Sequence, residues 1–438
     1  MTASAATPGG LPRRSVLKAI GAGAAVTGGA GLLAACSKGL KGTGGTGSSG
    51  TVKIGYVSPQ TGPLASFAAS DNFIIKQVND ALRKGITAGG KHRNVEIVVK
   101  DSQSTSTRAA DVAKELILTD KVDIVLASAT PDTANPVADQ CEANGVPNVS
   151  TIVPWEAWFF GRGKKDGESF KYTTMFFFGM KEFTDLFIHM WDRIGATDKT
   201  VACLWPNDTD ANAFRTGFTP VMPTKGYKVI DPGAYQDEIS DFSSQIARFK
   251  AADAELFTCT PLPPDFQTFW KQAAQQGYRP KLATVAKVML FPSEADSLGQ
   301  LSNNIATDVW WSPSHPYKST FDGKTAQQLA DEFAAQTGKQ WSQALGSVYS
   351  LFEIAAKALS AASDPKDRDE VAHQLQTMKI EGMSGPLDFT AGPQPGIAIQ
   401  TPVGGQWRQG KKFPWDMYLV DNTFNPSVAT TGDLQATS

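Results

Sequence analysis

Nucleophilic and metal chemistry find little to work with in this sequence. Its four histidines, His92, His189, His315 and His373, are scattered without zinc-protease spacing, and no Gly-x-Ser-x-Gly elbow is present. Cys141, Cys203 and Cys259 keep none of the intervals at which thiolates close a tetrahedral metal site. Gly85-Ile86-Thr87-Ala88-Gly89-Gly90-Lys91-His92 nearly spells a phosphate loop, but His92 stands where a Ser or Thr must hold magnesium. What does recur is hydroxyls and amides placed just after short apolar runs. Thr61 and Gly62 follow residues 52–57, and Ser128, Thr130 and Thr133 follow residues 122–126. Each hydroxyl alone is equally at home as a helix cap. Gathered at one sheet edge, beside the free amides of helix N-termini, they suit a carboxylate. The chemistry expected is reversible binding, with no catalytic residue, metal or cofactor.

Such positions need sheets to set them. From Thr51 the chain alternates short β-branched runs with helical periodicity, the pattern of a parallel sheet covered on both faces. Residues 52–57, 95–99 and 122–126 read as strands. Helices between them are marked by Ile74, Val78 and Leu82, then by Val112, Leu116 and Ile117. A second series has strands at 201–205, 227–230, 256–259, 282–285 and 307–311, with helices carrying Ile246 and Phe249, then Phe266, Phe269, Trp270 and Ala273. The folded length, about 390 residues, exceeds one ordinary core and predicts two domains. Hydrophobic residues make up 41% of the chain, enough to fill both cores, and the formal net charge of -2 with scattered basic residues excludes the electropositive face that nucleic acid requires.

Residues 1–36 resemble a twin-arginine export signal closed by a lipoprotein box. Pro12-Arg13-Arg14-Ser15 opens it, a Gly/Ala-rich run follows, and Leu33-Ala34-Ala35-Cys36 ends it. The run is too short and too rich in Gly and Ala for a spanning helix. The resemblance implies that Cys36 is lipidated and becomes the N-terminus, so the mature protein is extracytoplasmic and membrane-anchored. Residues 37–50 are Gly, Ser, Thr and Lys, a flexible linker. Its Gly42-Thr43-Gly44-Gly45-Thr46-Gly47 fits the dinucleotide glycine pattern but lacks the preceding strand and following helix. In an oxidising location a Cys203 to Cys259 bridge is conceivable if their strands are neighbours.

Beyond the linker the chain resembles the type I periplasmic binding proteins of ABC importers, particularly the branched-chain amino-acid receptors. The resemblance rests on the order of several segments: Val52-Lys53-Ile54-Gly55-Tyr56-Val57 with Thr61-Gly62-Pro63, Lys121-Val122-Asp123-Ile124-Val125-Leu126 with Ala127-Ser128-Ala129-Thr130, Gly145-Val146-Pro147-Asn148-Val149-Ser150, Asp241-Phe242-Ser243-Ser244-Gln245-Ile246, and Gly385-Pro386-Leu387-Asp388-Phe389. It implies an α/β fold of two doubly wound parallel-sheet lobes joined by a three-crossing hinge. The crossings fall near 176–179, 311–313 and 384–389. Lobe one is then residues 51–176 plus 313–383, and lobe two residues 177–312 plus 384–438. Ligand contacts implied at the facing sheet edges are Thr61, Gly62, Ser128, Thr130, Thr133, Ser150 and Thr151 in lobe one, and Asp208, Thr260 and Lys287 in lobe two.

Residues 155–178 hold an aromatic concentration, Trp155, Trp158, Phe159, Phe160, Tyr172, Phe176, Phe177 and Phe178, of which Trp155 is the expected stacking wall. The amino-acid receptors hold the ligand ammonium with an acid where this chain has Ala286 and Lys287, and a tyrosine near Ala211 is also missing. This favours an aromatic or organic acid complemented by Lys287 over leucine. The expected protein is a monomeric receptor that takes a small ligand to an ABC permease. Alternatives are a sensory lipoprotein using the same cleft, or an exported oxidoreductase.

Overall fold

The computed structural model describes residues 50–437; the export signal, Cys36 and nearly all of the linker lie outside the described residues. The strands, in chain order, are β1 (Thr51–Ser58), β2 (Ile86–Ala88), β3 (Lys91–Asp101), β4 (Ile124–Ala127), β5 (Asn148–Thr151), β6 (Thr173–Phe176), β7 (Thr200–Leu204), β8 (Lys228–Ile230), β9 (Leu256–Cys259), β10 (Leu282–Val285), β11 (Ala306–Val309), β12 (Lys379–Gly382), β13 (Gly385–Asp388), β14 (Ile397–Ala398), β15 (Val403–Gln409) and β16 (Trp415–Asp421). They form two seven-stranded sheets, ordered β14-β6-β5-β4-β1-β3-β2 and β16-β15-β11-β10-β9-β7-β8, plus the β12–β13 hairpin.

Sheet one is parallel except at β2, and sheet two is parallel from β11 to β8 with β15 and β16 added antiparallel. In β4, β5, β9 and β10 every residue is buried, because helices cover both faces. In each sheet the strand order reverses beside the first strand of the lobe, β1 or β7. Loops leaving the carboxyl ends there diverge to opposite faces and leave a crevice.

Two connections between the sheets follow β6 and β11. β6 runs through Phe177 and Phe178 into the helix Met180–Ile194, and β11 runs through Trp310 and Trp311. The third crossing is displaced from residues 384–389. Those residues belong to the β12–β13 hairpin, and β14 then pairs with β6 in sheet one. Residues 384–398 therefore stay with lobe one, and the chain crosses at residues 399–402. Two buried glutamines hold these strands together. Gln343 accepts from the Trp310 amide and donates to the Asp308 carbonyl, both at 2.9 Å, while Gln400 donates to the Trp310 and Ser384 carbonyls at 3.1 and 3.2 Å.

The helix Ala344–Ala361 is buried over nearly its whole circumference and packs against sheet one. Its Glu353 carboxylate accepts from the Thr320 and Met383 amides at 2.5 and 2.8 Å, fixing the segments that lead into and out of the hinge. Burial costs this carboxylate solvation, and four hydrogen bonds offset that cost. The phosphate-loop-like stretch is a β-hairpin. Gly89 and Gly90 turn between β2 and β3 at φ +55° and +70°, the left-handed backbone that glycine adopts without penalty.

Cys203 and Cys259 do lie on neighbouring strands, yet Cys203 pairs with Thr258 and Leu204 with Cys259. Adjacent positions point to opposite faces, so the two thiols enter different cores and stay free. Among the described residues no helix is long and apolar enough to cross a membrane.

Candidate functional site

The crevices of the two sheets face each other and are closed by contacts between lobes. Thr209 Oγ1 donates to Asp132 Oδ1 at 2.8 Å, Ser66 Oγ donates to Glu294 Oε1 at 3.1 Å, and Phe67 meets Phe291 edge to face with ring centroids 4.6 Å apart. Between them lies a small cavity, with about 30 Å³ of free space. Its walls come from both lobes and the hinge. Lobe one supplies Phe67 after β1, Thr130 after β4, and Ile152 and Pro154 after β5. Phe177 and Trp310 come from the crossings. Lobe two supplies Phe183, Asp210, Phe214, Ala286, Lys287, Leu290 and Asp308.

The local backbone is strained here. Thr130, Ile152 and Lys287 have φ of +64°, +58° and +66°, and all three line the cavity. A β-branched residue such as Ile152 rarely adopts this conformation, and such strain persists where neighbours fix it. The Thr130 amide donates to the Ile152 carbonyl at 2.9 Å, locking two of these loops together.

The aromatic wall is made by the hinge itself. Phe177 stacks on Phe178 at 4.1 Å and meets Trp310 edge to face at 4.9 Å; Phe183 and Phe214 are 4.7 Å apart. Three polar atoms in this lining are buried with no hydrogen-bond partner: Thr130 Oγ1, Trp310 Nε1 and Asp210 Oδ1. Unpaired buried groups of this kind cost free energy unless a ligand satisfies them.

Lys287 is not a free cation. Its Nζ donates to Asp208 Oδ2 at 2.8 Å and lies 3.6 Å from Asp210 Oδ2, all three side chains being nearly inaccessible. Burial opposes the ammonium, but the Asp208 and Asp210 carboxylates outweigh it and hold Lys287 above its ordinary value. Burial pushes the Asp210 carboxyl up to about 7 against the pull of Lys287, and pushes Asp308 up to about 7 as well. Asp208 is doubly engaged, because its other oxygen caps the helix Thr209–Gly217 by accepting from the Ala211 amide at 2.7 Å.

Of the residues expected at the site, the structure brings Thr130 and Lys287 to the cavity, with Asp208 one contact behind. Thr61 instead donates to Asp101 at 2.6 Å on the exposed rim, beside Gly62, whose φ of +90° serves the turn. Thr133 donates to the Ala129 carbonyl, Ser150 to Asn148 Oδ1 at 3.0 Å, and Thr151 to the Phe176 carbonyl at 2.8 Å. Those hydroxyls are spent inside lobe one. Ser128 and Thr260 are buried off the cavity. Trp155 packs over Gly179 at the first crossing, and of the aromatics in residues 155–178 Phe177 alone lines the cavity. Asp210 and Asp308 were missed. An aspartate within the wholly buried run Ala306–Val309 was the available signal for Asp308.

This architecture, two facing sheet edges closed over a cavity by a three-strand hinge, is that of a type I binding protein. The periplasmic binding protein family model matches residues 51–411, and the chain belongs to that family. Among similar solved structures is a leucine-binding protein from Thermotoga maritima, 19% identical, covering 86% of this chain and 100% of that one with a TM-score of 0.71. A Streptococcus pneumoniae branched-chain amino acid transporter substrate-binding protein in complex with isoleucine is 16% identical, covering 88% and 99%, with a TM-score of 0.66. A solute-binding protein of an ABC transporter from Rhodopseudomonas palustris, in complex with 3,4-dihydroxybenzoic acid, is 19% identical, covering 87% and 99%, with a TM-score of 0.68. At these identities the likeness establishes the shared fold.

Proposed function

We propose that this protein is an extracytoplasmic receptor that closes two lobes on a small organic molecule and delivers it, chemically unchanged, to an ABC permease. The observation carrying this reading is the cavity whose lining is divided between the lobes and backed by the hinge. A ligand there touches both lobes at once, so its binding energy favours the closed arrangement over the open one. Membership of the periplasmic binding protein family and the solute-binding roles of the relatives support it. Attachment through a lipid on Cys36 after twin-arginine export, and function as a monomer, belong to the same proposal.

Small-angle scattering of the full chain should show contraction when a ligand identified by thermal shift is added, and mass spectrometry should recover that ligand intact. Turnover of the compound, or binding without contraction, would overturn the reading. Cys36→Ala should release the protein from the membrane fraction; unchanged retention removes the anchor.

A further inference from the structure

A bound molecule in this cavity meets carboxylates before it meets any free cation. Lys287 is already held by Asp208 and Asp210, so the group expected to complement an anion is neutralised from within. Asp210 Oδ1 is buried, lines the cavity and has no partner. Asp308 is a second buried carboxyl in the same lining, with no cation paired to it, bonded by Thr307 Oγ1 at 3.4 Å and by its own backbone amide. Asp132 of lobe one adds negative potential across the cleft, acting on both Asp210 and Lys287. One lysine thus faces three nearby aspartates, with a fourth across the cleft. The rest of the lining is largely aromatic: Phe67, Phe177, Phe183, Phe214 and Trp310. Rings of this kind attract a cation through their faces and pack against a ring through their edges.

We propose that the ligand is a small aromatic amine: a single ring bearing a positively charged amino group and no carboxylate. This rests on the receptor reading above. The ammonium donates to Asp210 Oδ1 and lies near Asp308, which supplies the charge balance the cavity lacks. The ring fills the space among Phe177, Phe183, Phe214 and Trp310. A ring hydroxyl is matched by Thr130 Oγ1 and Trp310 Nε1, the two other orphan polar atoms. The free space in the closed cavity is only about 30 Å³, so the ligand must be small, one ring rather than two. A carboxylate is selected against, because it would be buried beside like charges with no unpaired cation.

Calorimetry on the full chain with tyramine, phenethylamine, tyrosine, phenylalanine, leucine and 4-hydroxybenzoate tests this. The two amines should bind, and the carboxylate-bearing compounds should be weaker by about 100-fold or more. With the Asp210 carboxyl near 7, a cation that requires it ionised should bind about tenfold tighter at pH 8 than at pH 6. Asp210→Asn should weaken tyramine about tenfold or more, and the unliganded melting temperature measured alongside separates that loss from an effect on folding. Asp308→Asn serves as the second variant if the first fails to fold. Tight binding of leucine or 4-hydroxybenzoate with silent amines overturns the amine assignment and leaves the receptor standing. Silence from the whole panel overturns the assignment too, and chemical conversion of any compound removes the receptor reading itself.

Discussion

At the scale of single residues, Lys287 is the side chain whose role the structure changes most. It is a buried counter-ion for Asp208 and Asp210, and its removal strands two carboxylates in an apolar wall. Breaking such a pair by deleting one partner typically costs ~3–5 kcal/mol. Lys287→Met should therefore lower stability to urea by about that much without any ligand present, and Asp210→Asn in the same background should recover part of the loss. A change below about 1 kcal/mol would show that the cluster is solvated and weak. Thr130 behaves differently. Its Oγ1 has no protein partner, so Thr130→Val should leave the unliganded fold stable within about 1 kcal/mol and lower ligand affinity, as read by paired denaturation and calorimetry. Sequence located Thr130 and Lys287 because both follow strands. It could not separate them from Ser150 and Thr151, since Ser150 is satisfied by the side chain of Asn148 two residues back and Thr151 by the Phe176 carbonyl, which only folding brings near.

At the scale of elements, the doubly buried strands were the legible part, because a short β-branched run between turn signals has few other interpretations. β14 is two residues long and carries no periodicity, so the third crossing was read one hairpin too early. β15 opens with Val403, Gly404 and Gly405, a composition that disfavours strands in isolation. Here each glycine answers to packing. A Cβ on Gly404 would lie 2.6 Å from Met190 Sδ, and one on Gly405 would lie 2.4 Å from Val309. The same logic governs Gly346 inside the helix Ala344–Ala361. Alanine favours helix by roughly 1 kcal/mol at an open site, but here its methyl would sit 2.1–2.4 Å from the Trp311 ring. Gly346→Ala should therefore destabilise by about 1–3 kcal/mol in chemical denaturation. Trp311 lies in the second crossing, so the shift should also reach the hinge.

At the scale of the whole molecule, buried carboxyls set the response to pH. Burial raises Asp71 and Asp308 from an ordinary 3.8 to about 7. Between those values the folded chain binds more protons than the unfolded one, so these groups favour folding increasingly as pH falls from 8 toward 4 and lose that contribution as pH rises through 7. Asp101 and Asp421 are shifted down, by hydrogen bonds that outweigh their burial. Their contribution is present above 3.8 and disappears below it. The melting temperature should accordingly be about 2–5 °C higher at pH 5.5 than at pH 8, then drop below pH 4. A flat profile would mean that water reaches these carboxyls. The third crossing carries one more consequence. β14 completes sheet one, and β15 with β16 completes sheet two, so both lobes draw strands from the same short stretch, residues 397–421. A chain ended at residue 395 should show no cooperative melting by circular dichroism. Many two-domain proteins fold their first domain while the second is still being translated. Here both sheets take edge strands from residues 397–421, which predicts that the two lobes fold in one coupled transition.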